Sequence, residues 1–326
     1  MNTRAALTLI LHLIAFSSYP QSDYAPAWSP NGEKIVFISR RDGNAELYVM
    51  NKDGSNPTRL TITDQSESDP QWSPDGKEIL FNSERTGVNQ IFKMNADGSG
   101  QTNLTQSSVP EGQGKWSPSG EKISFTSIRD NNAQVYLMNA DGSDQTPLIR
   151  TKTNVGSAVW SPDGKFIVCM SADIMARKLE YFRVDVDQGT RELLFKKREK
   201  PCYFHDWFKD GSRFVYEVST IAAPTETSDE LYMANLDQTD KQRIQKSMPK
   251  VLSAKLSPQN DRLLIGSNSN VYIKSIADKG KLLRIGRNYI QPEWSPDGKS
   301  IVMVSSGNSH IYVINADGTN LTQLTQ

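Results

Sequence analysis

A pentapeptide close to Trp-Ser-Pro-Asp-Gly returns seven times in this 326-residue chain, anchored at Trp28, Trp72, Trp116, Trp160, Trp207, Leu256 and Trp294. The first three intervals are 44 residues each, and the later ones are 47, 49 and 38. A period of this size marks a repeat architecture in which each period is one supersecondary unit. Such a unit cannot bury its apolar face alone, so its neighbours must stack on it. Length by itself would suggest two domains, but the repeat predicts a single array over residues 23–326.

Residues 67–105 show the unit. Asp69 to Trp72 is a short extended segment closed by Ser73-Pro74-Asp75-Gly76, with Pro and Gly where a tight turn favours them. Glu78 to Asn82 is β-rich and apolar, Glu84-Arg85-Thr86-Gly87 is a second turn, and Gln90 to Asn95 is a third strand. Ala96-Asp97-Gly98-Ser99 is a hairpin turn, because Asp-Gly accepts the positive φ that such turns need. Thr102 to Thr105 completes a four-stranded antiparallel meander.

The second strands are apolar at nearly every position: Ile35 to Ile38, Ile79 to Phe81, Phe166 to Val168 and Ile301 to Val304. A strand buried on one face alternates, whereas a continuous run implies burial on both. Blades of a propeller, each packed between two neighbours, meet that requirement. No helix-length 3.6-residue period follows residue 22. The fold class expected is all-β, a β-propeller of four-stranded antiparallel blades. Residues 23–326 allow about 43 residues for each of seven units, which is the usual blade period. Seven blades are therefore expected. The alternative is six, with the sixth repeat lost, since there Leu256 replaces Trp and the turn reads Ser257-Pro258-Gln259-Asn260. The anchor Trp residues are expected to fill space between blades.

Residues 1–22 differ from the rest. Arg4 precedes the twelve-residue apolar run Ala5 to Phe16, too short to span a bilayer, and Ser17, Ser18 and Ser22 are small. The segment reads as a secretory signal peptide cleaved between about residues 18 and 23. An N-terminal strand or an uncleaved anchor is the alternative. The expected location is periplasmic or secreted, with no membrane span after signal removal. The 37 basic and 37 acidic residues balance, which argues against nucleic acid as a partner. Cys169 and Cys202 could pair in an oxidising compartment. Two buried free thiols are the preferred reading.

Chemistry-bearing patterns are sparse. G-x-S-x-G, G-x-x-x-x-G-K-[ST] and H-E-x-x-H do not occur. His12 falls in the leader, leaving His205 and His310. Asp185-Val186-Asp187-Gln188-Gly189 has Gly one place too early for a calcium loop and reads as a hairpin turn. The other Asp-Gly pairs, at Asp53, Asp97, Asp141 and Asp317, read as turn chemistry alone. No catalytic residue, metal site or cofactor is expected.

The residues just before the anchors are more informative: Ala27, Gln71, Lys115, Val159, Asp206, Lys255 and Glu293. Five are polar or charged, and alternation places them on the side of the strand opposite the anchors. With first strands innermost, this set faces a wet central channel able to take a small ligand or a peptide end. Candidate binding residues are Gln71, Lys115, His205, Asp206, Lys255 and Glu293; plain solvation of the channel is the alternative. Two blades break the pattern. The fifth carries an expected inserted loop from Thr220 to Asp229, and the fourth replaces a turn with residues 172–178.

Trp28-Ser29-Pro30-Asn31-Gly32, Glu46-Leu47-Tyr48-Val49-Met50-Asn51 and Asn315-Ala316-Asp317-Gly318-Thr319 resemble the TolB-like, WD-type β-propeller repeat family. The resemblance spans essentially all of 23–326. It is specific for fold and weakly specific for function, since similar propellers occur in a periplasmic envelope component, beside peptidase domains and in polysaccharide lyases. TolB itself carries an α/β domain ahead of its propeller, whereas here the first repeat follows the leader directly. The expected function is an exported, non-enzymatic propeller that binds an envelope protein or peptide, as a monomer. The alternatives are a propeller-fold polysaccharide lyase or glycan hydrolase, using channel carboxylates such as Asp206 and Glu293, and a carbohydrate-binding module.

Overall fold

The computed structural model describes residues 22–129, 132–173, 178–195, 200–223, 226–277 and 282–326. These form seven four-stranded antiparallel sheets, each taken in simple sequence order from one uninterrupted stretch of chain. The sixth repeat keeps all four strands without its Trp, so the six-bladed alternative falls. The segment read as a leader lies outside the described residues except for Ser22.

The first strands are Asp23–Trp28, Glu67–Trp72, Glu111–Trp116, Asn154–Trp160, Cys202–Trp207, Val251–Leu256 and Tyr289–Trp294. They ring the axis; Asp23–Trp28 meets both Glu67–Trp72 and Tyr289–Trp294. The second strand of blade one shows why its sequence is continuously apolar. Val36 and Ile38 pack against Ile79 and Phe81 of blade two, while Ile35 and Phe37 pack against Val302 and Val304 of blade seven. Each such side chain contributes about 1.5–3 kcal/mol when fully buried.

The recurring pentapeptide is a self-contained turn with an interblade contact. In blade two the Ser73 hydroxyl accepts from the Glu78 N–H at 3.0 Å and donates to Asp75 Oδ1 at 2.7 Å. Asp75 Oδ1 in turn accepts from the Lys77 N–H at 3.1 Å, and these bonds hold its carboxyl below the usual range. Gly76 closes the turn at a φ of 72°. A Cβ on Gly76 would lie 3.4 Å from Pro30 Cδ of blade one, and Gly120 meets Pro74 in the same way. The Pro and Gly of successive turns thus stack around one mouth of the ring. Indole nitrogens extend the linkage: Trp72 donates to the Ala27 carbonyl at 3.1 Å and Trp294 to that of Lys255 at 3.2 Å.

The Asp-Gly hairpins do more than the sequence suggests. A Cβ on Gly54 would fall 2.7 Å from the Leu324 carbonyl oxygen, and one on Gly142 would fall 2.8 Å from that of Leu104. Gln101 and Gln145 donate to the carbonyls of Leu60 and Leu104 in the preceding blade. The expectation that these turns serve their own hairpins alone is corrected: their glycines let the preceding blade approach.

At the opposite face, a polar side chain of several third strands, the first residue of the strand in blades one to three, clamps the crossing to the next blade. Glu46 accepts from the Thr63 N–H, Gln90 from Ser107, Gln134 from Thr151 and Asp229 from Val251. Arg85 stacks over Phe92, with its guanidinium carbon 4.7 Å from the ring centroid, and pairs with buried Glu67 at 2.9 Å. Arg129 repeats this over Tyr136 with Glu111.

The ring closes without a shared sheet. Blade seven is built entirely from Tyr289–Trp294, Ser300–Ser305, Ile311–Asn315 and Thr322–Gln323. The Asp23 N–H donates to the Ser309 carbonyl at 2.7 Å across the seam.

Cys169 and Cys202 are both buried and free. The inserted loop expected over Thr220 to Asp229 is instead mostly strand. Arg213–Ala223 and Glu226–Asn235 pair in one long hairpin, because the backbone satisfies its hydrogen bonds by continuing the ladder. In blade four the strands Phe166–Asp173 and Lys178–Asp185 likewise reach into the segment expected as a turn; residues 174–177 lie outside the described residues.

Candidate functional site

The residues preceding the anchors occupy one rung of the ring. Gln71 pairs with Leu80, Lys115 with Ser124, Asp206 with Val215, Lys255 with Leu264 and Glu293 with Val302. All keep access to solvent, while the apolar second strands behind them are buried.

Four of these side chains form one electrostatic group. Lys255 and Glu293 make an ion pair between blades six and seven. The Asp206 carboxylate accepts from the N–H groups of Trp207 and Leu256, each at 2.8 Å, and so ties blade five to blade six. Enclosure pushes its pKa up to about 6, with a further rise from Glu293; the two N–H donors and Lys255 oppose this. Lys115 keeps solvent access but stands within the ring of first strands. That enclosure pushes its ammonium below the usual lysine range; Asp69 and Glu293 act against it, and Lys255 reinforces it. Lys115 makes no ion pair among the described residues.

A second polar layer lies one step further along the channel. Ala25, Asp69, Gln113, Ser157 and Gln291 sit three residues before their anchors, at a bulge in each first strand, with φ between 51° and 55°. Asp69 accepts from the Asn82 amide at 2.9 Å, and Gln113 accepts from the Thr126 hydroxyl at 2.9 Å. Gln113 Oε1 also accepts from the Ser157 N–H at 3.3 Å. Position minus three reads Ala25, Asp69, Gln113, Ser157, Phe204, Ser253 and Gln291, so its polarity was visible in the sequence. The unpaired bulge residue that turns this position inward was not.

Blade five departs from the pattern. Phe204 fills a hydrophobic cluster, and the following His205 reaches the second strand, with Nε2 3.2 Å from Glu217 Oε2. The adjacent residues His205 and Asp206 therefore serve different groups. Asp206 joins Lys255 and Glu293, whereas His205 joins buried Glu217 and Asp229. Burial first, and then the neighbouring Asp229, push the Glu217 carboxyl up; His205 opposes them.

Two further expectations have a place. Gly189 donates to the Asp185 carbonyl at 2.9 Å, closing the hairpin turn read from Asp185 to Gly189. His310 lies at the seam, its Nδ1 3.9 Å from Asp23 Oδ2.

Residues 12–108 match the family described as TolB beta propeller domain. Among solved structures, an oligogalacturonate lyase in complex with manganese superposes with a TM-score of 0.75 at 14% identity, covering 91% of this chain and 90% of that one. A putative TolB from Agrobacterium tumefaciens gives 0.53 at 21% identity, covering 71% and 84%. The propeller domain of a trilobed protease from Pyrococcus furiosus, described as having an open velcro topology, gives 0.63 at 15%, covering 94% and 99%. At these identities the likeness is one of fold. The seven four-stranded blades make the chain a β-propeller, and residues 12–108 of it are similar to the TolB propeller domain.

Proposed function

We propose that this protein is an exported, non-enzymatic propeller that binds a protein or peptide partner of the cell envelope, acting as a monomer. In this reading a segment of the partner enters the channel at the pentapeptide mouth. An acidic side chain or terminal carboxylate of the partner meets Lys115, and hydrogen-bonding groups meet the Asp69 and Gln113 layer. The observation that carries the reading is Lys115 itself, a solvent-accessible ammonium on the channel rung that makes no ion pair among the described residues, beside the paired Lys255 and Glu293. An anionic ligand group there would replace water with a charge-assisted bond, stronger than a neutral one. Export rests on the basic residue and short apolar run of the leader.

The test is affinity capture from envelope extract with the native chain and with Lys115→Ala and Lys255→Ala. The reading expects a partner recovered by the native chain, released by salt and lost with Lys115→Ala. An unchanged set of captured proteins with both variants would reject it. Turnover of polyuronates by the same preparation would favour the lyase alternative.

A further inference from the structure

Blade four carries a second concave site, on the face opposite the pentapeptide turns. Its strands Phe166–Asp173 and Lys178–Asp185 are eight residues long against six for Lys34–Ser39 and Glu46–Asn51 in blade one. The extra length raises one wall of a cleft of about 730 Å³, whose other wall is the crossing from blade three at residues 150–153. That crossing is held in place by the Thr151 N–H, which donates to Gln134 Oε1 at 3.1 Å.

The lining is polar and positively biased. Arg150, Lys152, Lys178 and Arg191 face it against Asp173 and Glu180, an excess of two cations in a chain whose total charge is zero. Lys178 is occupied by Glu180 at 2.8 Å. Lys152 and Arg191 make no ion pair among the described residues. Arg191 is braced by Phe182, with its guanidinium carbon 5.7 Å from the ring centroid. Between the walls the hydroxyls of Thr153 and Ser171 lie 2.8 Å apart, leaving lone pairs and a proton to share.

This combination selects a ligand class. Two uncommitted cations ask for an anion, and a guanidinium fork suits carboxylate or phosphate in two-point contact. Paired hydroxyls and the acceptor oxygens of Glu180 ask for ligand hydroxyls. The volume falls within the usual range for small-molecule sites, and the lining is more polar than most. We propose that the cleft of blade four binds a small anionic sugar, one that carries a carboxylate or a phosphate. The site is separate from the channel group, shares no residue with it, and needs no activity there.

Calorimetric titration of the purified chain at low salt with glucuronate, glucose 6-phosphate and glucose tests this. Binding of one acid or both, with glucose at least about tenfold weaker, is the expected result. The acid that binds distinguishes carboxylate from phosphate as the source of the anion. Arg191→Gln and Lys152→Gln, both at exposed positions, should each weaken that binding about tenfold and leave the thermal midpoint unchanged. No binding of either acid, equal binding of glucose, or full affinity in the double variant would overturn the proposal.

Discussion

Gln291 Oε1, in the seventh blade, accepts a hydrogen bond at 2.9 Å from the backbone N–H of Ala25 in the first. With the Asp23 to Ser309 bond, it does at the seam what the Gln113 to Ser157 contact does between blades three and four. Gln291→Ala leaves a part-buried N–H without its partner. The expected cost is about 1–2 kcal/mol, read as a lower urea midpoint. An unchanged midpoint would show that channel water replaces the amide.

The indole bonds distinguish Trp residues that the sequence treats alike. Trp72 Nε1 has the Ala27 carbonyl, whereas the buried Trp116 Nε1 has no hydrogen-bond partner among the described residues. Trp72→Phe should therefore destabilise by about 1 kcal/mol more than Trp116→Phe, which discards an unsatisfied donor. Equal losses in denaturant titration would count against it.

Asp206 gives a signed pH dependence. Its folded pKa of about 6 lies above the ordinary aspartate value of 3.8. The stabilisation this provides is complete below pH 3.8 and is lost as pH rises through about 6. Between pH 7 and pH 5 the native chain should gain about 1 kcal/mol over Asp206→Asn, which has no such titration. Parallel urea midpoints for the two proteins over that interval would contradict the assignment.

Lys115→Met separates binding from stability. The enclosed ammonium gains nothing from a direct partner, so the variant should match the native chain within about 0.5 kcal/mol. Captured partner should fall sharply in the same preparation. A large loss of stability would recast Lys115 as structural.

Glycine substitutions test the interblade role of the Asp-Gly hairpins. A Cβ on Gly43 meets nothing within 4 Å, so Gly43→Ala should cost only about 1 kcal/mol for its positive φ. Gly54→Ala adds a clash with the Leu324 carbonyl and should cost at least about 2 kcal/mol. Thermal melts of the two variants measure the difference.

The fold was legible because each strand's periodicity is local and repeated. Ile35 to Ile38 alternate between two neighbouring blades, and this is what a continuous apolar run records. The lower charged rung was legible too, because it is fixed by one-residue adjacency to the Trp anchors. The second layer was hidden, since the bulge at Asp69 and Gln113 breaks simple alternation. The same irregularity separates His205 from Asp206. The Thr220 to Asp229 segment misled because its small and polar residues resemble a loop, while its backbone can still pair as a ladder. The blade-four cleft draws on residues forty positions apart, and no local pattern marks it.

Because every sheet is one unbroken stretch and the last blade borrows no strand from the first, the order of blades is independent of where the chain starts. A linker of the length that joins blades one and two, residues 60–66, could run from the strand Thr322–Gln323 to the strand Asp23–Trp28, and new ends could open at any other crossing. Circular permutation should therefore leave the ring intact. Its tolerance at each crossing would rank the seven interfaces by strength.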